Sequence, residues 1–201
     1  YEQGDEFRVM GMSAYGKPRY FEDLKQCIKL TSNGFDIIES NYFGVELVNN
    51  SGLERFVVKD SFEKLCPKVV GKHHFIDCHY DLAASVQQLT NFIGQHIGEI
   101  VLFKSKIKKS LAIAGGVGLN GLMNNSIESK LRLDSLYVYP AAADDGTSVG
   151  AALMKAIQLN ARPAKKFLRS YLGPIHKENE LYEILKSKKL IIPMVTISNL
   201  I

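Results

Sequence analysis

Cysteine is scarce in this chain. Cys27, Cys66 and Cys78 are too few and too scattered for a disulfide framework, so the expected compartment is reducing and the expected location cytoplasmic. An excess of one charge is also missing: 25 Lys and Arg against 21 Asp and Glu leave a net charge of only +4. Nucleic acid is therefore not an expected partner, because phosphate-backbone binders concentrate basic residues on one face. The densest basic run, Lys104 to Lys109, follows a helical pattern and reads as a solubilised helix end. No apolar run approaches the roughly 18 residues that span a bilayer, so no membrane span is expected. Tyr1 to Glu6 lacks both an initiator Met and the basic-then-apolar layout of a signal peptide. Such a start reads as a piece of something larger. What is present is globular in character: 201 residues, 46% hydrophobic and 23% charged, enough for one domain or one domain and part of another. A disordered tail and a fibre are both excluded.

Residues 1–20, dense in glycine and closing on Gly16-Lys17-Pro18, suggest a short strand and a turn. A helix is expected over about Phe21 to Leu30, then short strands around the Ser32-Asn33-Gly34 turn and within Phe35 to Val48. Asn49 to Gly52 reads as a loop. A second helix starts near Asp60, whose carboxylate is placed to cap Phe62 and Glu63, and stops before Pro67. The clearest helix runs from Asp81 to about Leu102. Leu82, Val86, Leu89, Ile93, Ile97 and Ile100 recur at spacings of 4, 3, 4, 4 and 3, one face of an α-helix, and Asp81 suits the dipole of its first turn.

A strand–loop–helix pattern then occurs twice. Leu111 to Ala114 is a strand, Gly115-Gly116 a turn, and Leu119 to Leu131 a helix. Ser135 to Tyr139, Pro140 to Gly146 and Thr147 to Leu159 repeat it. The expected fold class is therefore α/β with a mainly parallel sheet, its loops at 115–120 and 140–147 side by side at the carboxyl ends of neighbouring strands. Ala161 to Lys166 reads as a linker, Tyr171 to Pro174 as a turn, and about Glu178 to Lys186 as a helix.

The two loops are where chemistry is expected. Gly115 and Gly116 let the backbone approach a ligand, and the amides that follow, Val117's among them, can receive phosphate oxygens. Asn120 offers a donor and an acceptor to a ribose or phosphate. Asp144 and Asp145 precede Gly146-Thr147 at a helix start, where a carboxylate binds a divalent metal or caps the helix. Gly116 to Gly121 is formally the G-x-G-x-x-G of dinucleotide sites, but the acidic residue wanted about 20 positions on does not close the next strand: Asp134 precedes it and Asp144 lies beyond it. Cys66, His73, His74, Cys78 and His79 lack the close C-x-x-C or H-x-x-x-H pairing of a zinc site and read as loop and cap residues.

Several blocks carry a resemblance. Leu111 to Asn120 resembles the A-G-G-V-A-L-N signature of the O-carbamoyltransferases of the NodU/CmcH type. Pro140 to Leu153 resembles their P-A-A-G-D-A-G-T-A-L-G-A-A-L, and Glu6 to Pro18 their E-[FY]-K-V-M-G-L-A-x-Y-G-K-P. Asp81 to Gln87 resembles D-[IL]-A-A-S-V-Q, and Tyr171 to Pro174 resembles Y-L-G-P. The five blocks stand in family order. Departures are small: Gly118 for Ala, Ala143 for Gly, Asp145 for Ala.

The resemblance implies half of an actin/Hsp70/sugar-kinase-like (RNase H-like) domain over residues 1–160, with a helical or hairpin insertion. Residues 161–201 would be the linker and the start of a truncated YrdC-like domain. It also implies carbamoyl-adenylate, made from carbamoyl phosphate and ATP by that second domain, as the donor to a hydroxyl of a small-molecule acceptor such as a sugar or natural product. A divalent metal, usually iron, would be held by two His and one Asp. Asp144 aligns with that Asp, whereas no H-x-x-x-H element occurs here. Gly115, Gly116, Val117 and Asn120 would hold the nucleotide, and Lys17 would add positive charge, so that the chain reads as a transferase fragment inactive alone. Two other readings are a relative of the tRNA threonylcarbamoyl transferase, which the Glu6–Pro18 and Asp81–Gln87 blocks disfavour, and a non-catalytic nucleotide-binding half-domain.

Overall fold

The structure, a computed structural model, describes residues 6–48, 53–69, 75–106, 109–161 and 177–188. The chain divides into two compact units, Tyr1–Lys155 and Ala156–Ile201. The loop at 49–52, His73, His74, most of the linker and the turn at 171–174 lie outside the described residues.

The first unit is organised around one helix. α1 (Glu6–Met12) runs into a 3-10 turn at Ser13–Tyr15, followed by α2 (Phe21–Lys25). β1 (Ile28–Thr31) and β2 (Gly34–Ile37) form an antiparallel hairpin that pairs Thr31 with Gly34, and β3 (Phe43–Val48) pairs antiparallel with β4 (Leu53–Val58). α3 is Asp60–Leu65 and α4 is Asp77–Ser105, a 29-residue helix. β5 (Ser110–Ile113), α5 (Gly121–Leu131), β6 (Ser135–Val138) and α6 (Thr147–Gln158) complete the order, with β5 and β6 parallel. α1, the 3-10 turn, α2, β2, β5 and α5 all contact α4. In the second unit α7 (Glu178–Ser187) opens with Glu180 Oε2 accepting the Lys177 amide at 3.3 Å. Among the described residues no helix is long and apolar enough to cross a membrane.

Both strand–loop–helix units of the sequence are present, yet among the described residues parallel pairing is confined to β5 and β6. The other two sheets are antiparallel hairpins, which narrows the expected "mainly parallel" sheet to one small parallel pair in a mixed α/β fold. Residues 6–12 are a helix where a strand was expected. Glu, Arg and Met favour it, and docking on α4 decides against the nearby glycines. The helix expected over Phe21–Leu30 stops at Lys25, because Ile28 to Thr31 is drawn into the hairpin. Near Asp60 the helix begins as expected, but the cap position is Lys59 and no side chain caps it. α4 starts at Asp77, one turn before Asp81, so Asp81 is not a first-turn residue.

The apolar stripe of α4 is not its buried face. Buried instead are Asp81, Ala83, Ala84, Ser85, Gln87, Gly94 and Gly98, while Val86 and Ile97 are 39% and 40% exposed. Helices approach most closely where side chains are smallest, and Gly94 and Gly98 take Met123, Ile127 and Leu131 of α5 against the α4 backbone. Ile93, Ile97 and Val101 instead line a cavity of about 510 Å³ whose other walls include Leu111, Ile113 and Val117. A Cβ on Gly98 would lie 2.7 Å from Leu131 Cδ1. Gly98→Val is therefore expected to cost about 2 kcal/mol through overpacking, read as a lower midpoint of thermal unfolding; an unchanged midpoint would place the tight crossing elsewhere.

One expectation about cysteine is reversed. Cys66 and Cys78 form a disulfide with Cα atoms 5.7 Å apart, leaving buried Cys27 free. Their spacing in sequence hides this, because Pro67 and the start of α4 fold back on each other.

Candidate functional site

The two loops singled out by the sequence meet. The Gly115 amide donates to the Ala142 carbonyl at 2.7 Å, so the segments that leave β5 and β6 lie side by side at the carboxyl ends of the parallel pair. This is where ligands sit in α/β sheets. Gly115 has φ +101°, which only glycine adopts without strain. Residues Gly116–Leu119 then form a 3-10 turn whose first internal bond is Gly118 N–H to the Gly115 carbonyl at 2.9 Å. The amides of Gly116 and Val117 precede that bond, in the position where helix starts leave donors for a ligand. Gly115, Gly116 and Val117 are exposed.

Asn120 has a structural task as well. Its Oδ1 caps α5 by accepting the Met123 amide at 2.9 Å, and its amide pairs reciprocally with Gln87 at 3.0 and 3.1 Å. Below the turn, Asn124 Nδ2 donates to the Gly118 carbonyl at 2.7 Å, while its buried Oδ1 has no hydrogen-bond partner. Such an atom carries a desolvation penalty that a bound donor would relieve.

In the second loop Asp144–Gly146 is a short 3-10 turn, and Thr147 Oγ1 donates to the Asp144 carbonyl at 2.6 Å. Asp144 and Asp145 are both exposed. Gly146 sits under Ala141, where a Cβ would collide with the main-chain oxygen.

Lys17 lies in a turn held on α4. Its amide donates to Asp81 Oδ1 at 2.7 Å, and Arg19 Nε lies 3.1 Å from Asp81 Oδ2. The Tyr20 amide donates to Ser85 Oγ at 2.9 Å and the Tyr20 hydroxyl to the Leu65 carbonyl at 3.2 Å. The Asp81–Gln87 block thus presents three buried polar side chains that secure two pieces of loop: Asp81 and Ser85 the 17–20 turn, Gln87 the residue that caps α5. Only their placement among Ala83 and Ala84 hinted at burial; the sequence reading missed their roles. Asp81 and Gln87 are about 9 Å apart along the helix axis, at 1.5 Å per residue. The Lys17 turn and the Gly115–Asn120 loop are therefore held on one half of a single helix.

The described histidines stand elsewhere. His79 Nδ1 accepts the Ile76 amide and its Nε2 lies 2.9 Å from the Pro67 carbonyl, while His96 Nε2 lies 3.0 Å from the carbonyls of Thr31 and Gly34. Among the described residues no cluster of three metal-binding side chains includes Asp144.

Residues 1–153 match the family described as carbamoyltransferase N-terminus. Nodulation protein NolNO of Sinorhizobium fredii is 32% identical over 87% of this chain, which covers 24% of that protein. Nodulation protein NolO of Bradyrhizobium diazoefficiens is 31% identical over 85% of this chain and 28% of that protein. An uncharacterized protein of Methanocaldococcus jannaschii is 30% identical over 92% and 28% respectively. The chain spans between about a quarter and a third of the length of these relatives.

Proposed function

The chain belongs to the carbamoyltransferase family, and from that premise we propose that it forms the donor-binding part of a longer enzyme that moves a carbamoyl group from carbamoyl-adenylate to a hydroxyl of a small-molecule acceptor. The observation that supports this reading is the bond from the Gly115 amide to the Ala142 carbonyl, which holds the two loops side by side. The Gly116 and Val117 amides receive the phosphate oxygens of the adenylate. As the acceptor hydroxyl attacks the carbamoyl carbon, the bond to AMP breaks and negative charge grows on the departing phosphate. Fixed amide dipoles stabilise that charge without reorganising. Lys17 adds positive charge from the 17–20 turn. The carbamoyl-adenylate itself is made from carbamoyl phosphate and ATP by a YrdC-like domain, and the acceptor is a sugar or natural-product precursor.

A metal held by two His and one Asp does not fit the described residues. Asp144 is a single exposed carboxylate beside Asp145, and both described histidines are bonded to backbone elsewhere. Asp144 contributes at most one ligand. The 201-residue chain is expected to bind Fe²⁺ or Mn²⁺ only weakly at this place, as a hydrated carboxylate does. Titration calorimetry checks this: tight binding lost in Asp144→Ala would show a complete site.

The functional reading is tested by hydrogen exchange with a non-hydrolysable carbamoyl-adenylate analogue. Amides in 115–120 and 140–147 are expected to gain protection together. Protection at neither loop, or at one alone, would overturn the proposal.

A further inference from the structure

Three groups outside the candidate site converge where α3 meets α4. Cys66 follows the last residue of α3, and Cys78 and His79 lie in the first turn of α4, their ligand atoms all within 4.8 Å of one another. The two sulfurs are bonded to each other. Both nitrogens of His79 are also occupied: Nδ1 accepts the Ile76 amide at 2.9 Å, so Nε2 carries the proton and donates to the Pro67 carbonyl. A metal ion at this cluster would have to break the disulfide and one of those bonds.

We propose that Cys66 and Cys78 are a thiol–disulfide exchange site whose oxidation state controls the order of the 17–20 turn. The two cysteines are not equivalent. Cys66 is 5% exposed, whereas Cys78 is partly exposed and sits at the second position of a 29-residue helix. Helix-start amides favour a thiolate, so Cys78 is the attacking sulfur. In the reduced protein its thiolate attacks a low-molecular-weight disulfide, forms a mixed disulfide and releases one small thiolate. The Cys66 thiolate then attacks the Cys78 sulfur and releases the second. The protein is oxidised by two electrons, and the small disulfide is reduced to two thiols.

The turn that carries Lys17 is tied to both sides of this link. The Tyr20 hydroxyl bonds the carbonyl of Leu65, next to Cys66, while the Lys17 and Tyr20 amides bond Asp81 and Ser85, just beyond Cys78. Fixing α3 to α4 therefore fixes all three anchors of the turn together. Cys27 is an internal control, buried and with its sulfur 2.9 Å from Ser40 Oγ.

The test equilibrates the 201-residue chain in oxidised or reduced glutathione, then counts alkylated thiols by mass after denaturation and follows hydrogen exchange at Lys17 and Tyr20. The expected result is one alkylated thiol in the oxidised buffer and three in the reduced one. Exchange at both amides is expected to be about tenfold faster after reduction, as for a local opening released from a constraint. A Cys66→Ser/Cys78→Ser variant should exchange at the faster rate in both buffers; the wild-type comparison stands without it should the variant not fold. Three alkylated thiols in the oxidised buffer would overturn the proposal, as would exchange at Lys17 and Tyr20 that ignores oxidation state. It would also be overturned if the reduced chain, dialysed against Zn²⁺, held one zinc that Cys66→Ser loses, since the cluster would then be a metal site.

Discussion

Gly16→Ala is expected to cost about 3 kcal/mol of stability, through loss of the charge-assisted hydrogen bond and the packing that hold the 17–20 turn on α4. A Cβ at Gly16 would fall onto the Tyr80 carbonyl, which belongs to the backbone of α4 and cannot turn aside. The turn must lift away. With it go the Lys17 amide to Asp81, the Arg19 ion pair with the same carboxylate and the Tyr20 amide to Ser85, so that Asp81, buried in the intact structure, loses the turn's donors together. The midpoint of thermal unfolding should fall by about 6–12 °C for a unit of this size. Gly11→Ala is the matched comparison: nothing lies within 4 Å of its added Cβ, and alanine favours the helix that contains it. A Gly16→Ala protein as stable as Gly11→Ala would sink the account of how the turn is held.

The second large effect is on binding rather than folding. Gly116 has no positive φ, and a Cβ built there meets nothing within 4 Å. Gly116→Val should therefore fold with the midpoint of the parent while placing a branched side chain over the amides proposed to receive phosphate. Affinity for AMP or ATP is expected to fall by about a hundredfold, comparable to losing two charge-assisted hydrogen bonds. Gly115→Ala separates this from simple strain. It should lower stability by about 1–2 kcal/mol, because φ +101° suits only glycine. An unchanged nucleotide affinity in well-folded Gly116→Val would remove Gly116 from the site.

What could be seen in advance tracks how local the cause was. β5, the glycine turn, α5, β6 and α6 were legible because strand residues, Gly115-Gly116 and helical periodicity agree within a few positions. The meeting of the two loops followed from the handedness and shortness of the connections. α4 was legible as a helix, but its period could not say which side would be buried. That was decided by Gly94 and Gly98 meeting α5, a partner 25 or more residues further on. α1 was misread because the glycines around it spoke against the helix that Glu6, Arg8 and Met10 favour, and docking on α4 decided between them. Asp81, Ser85 and Gln87 look like ordinary helix polarity until the loops that they anchor are in place. The Cys66–Cys78 link is of the same kind, visible only once α3 and α4 abut.

The bond from the Lys17 amide to Asp81 joins residues 64 positions apart, and that separation has a meaning during synthesis. At roughly 5–20 residues per second, the turn waits about 3–13 s after it is made before its anchor exists. Throughout that interval the Lys17 and Tyr20 amides have no Asp81 or Ser85 side chain to donate to. The turn is thus held by a helix made after it. Nascent chains halted before Asp81 are expected to leave the 17–20 turn unanchored.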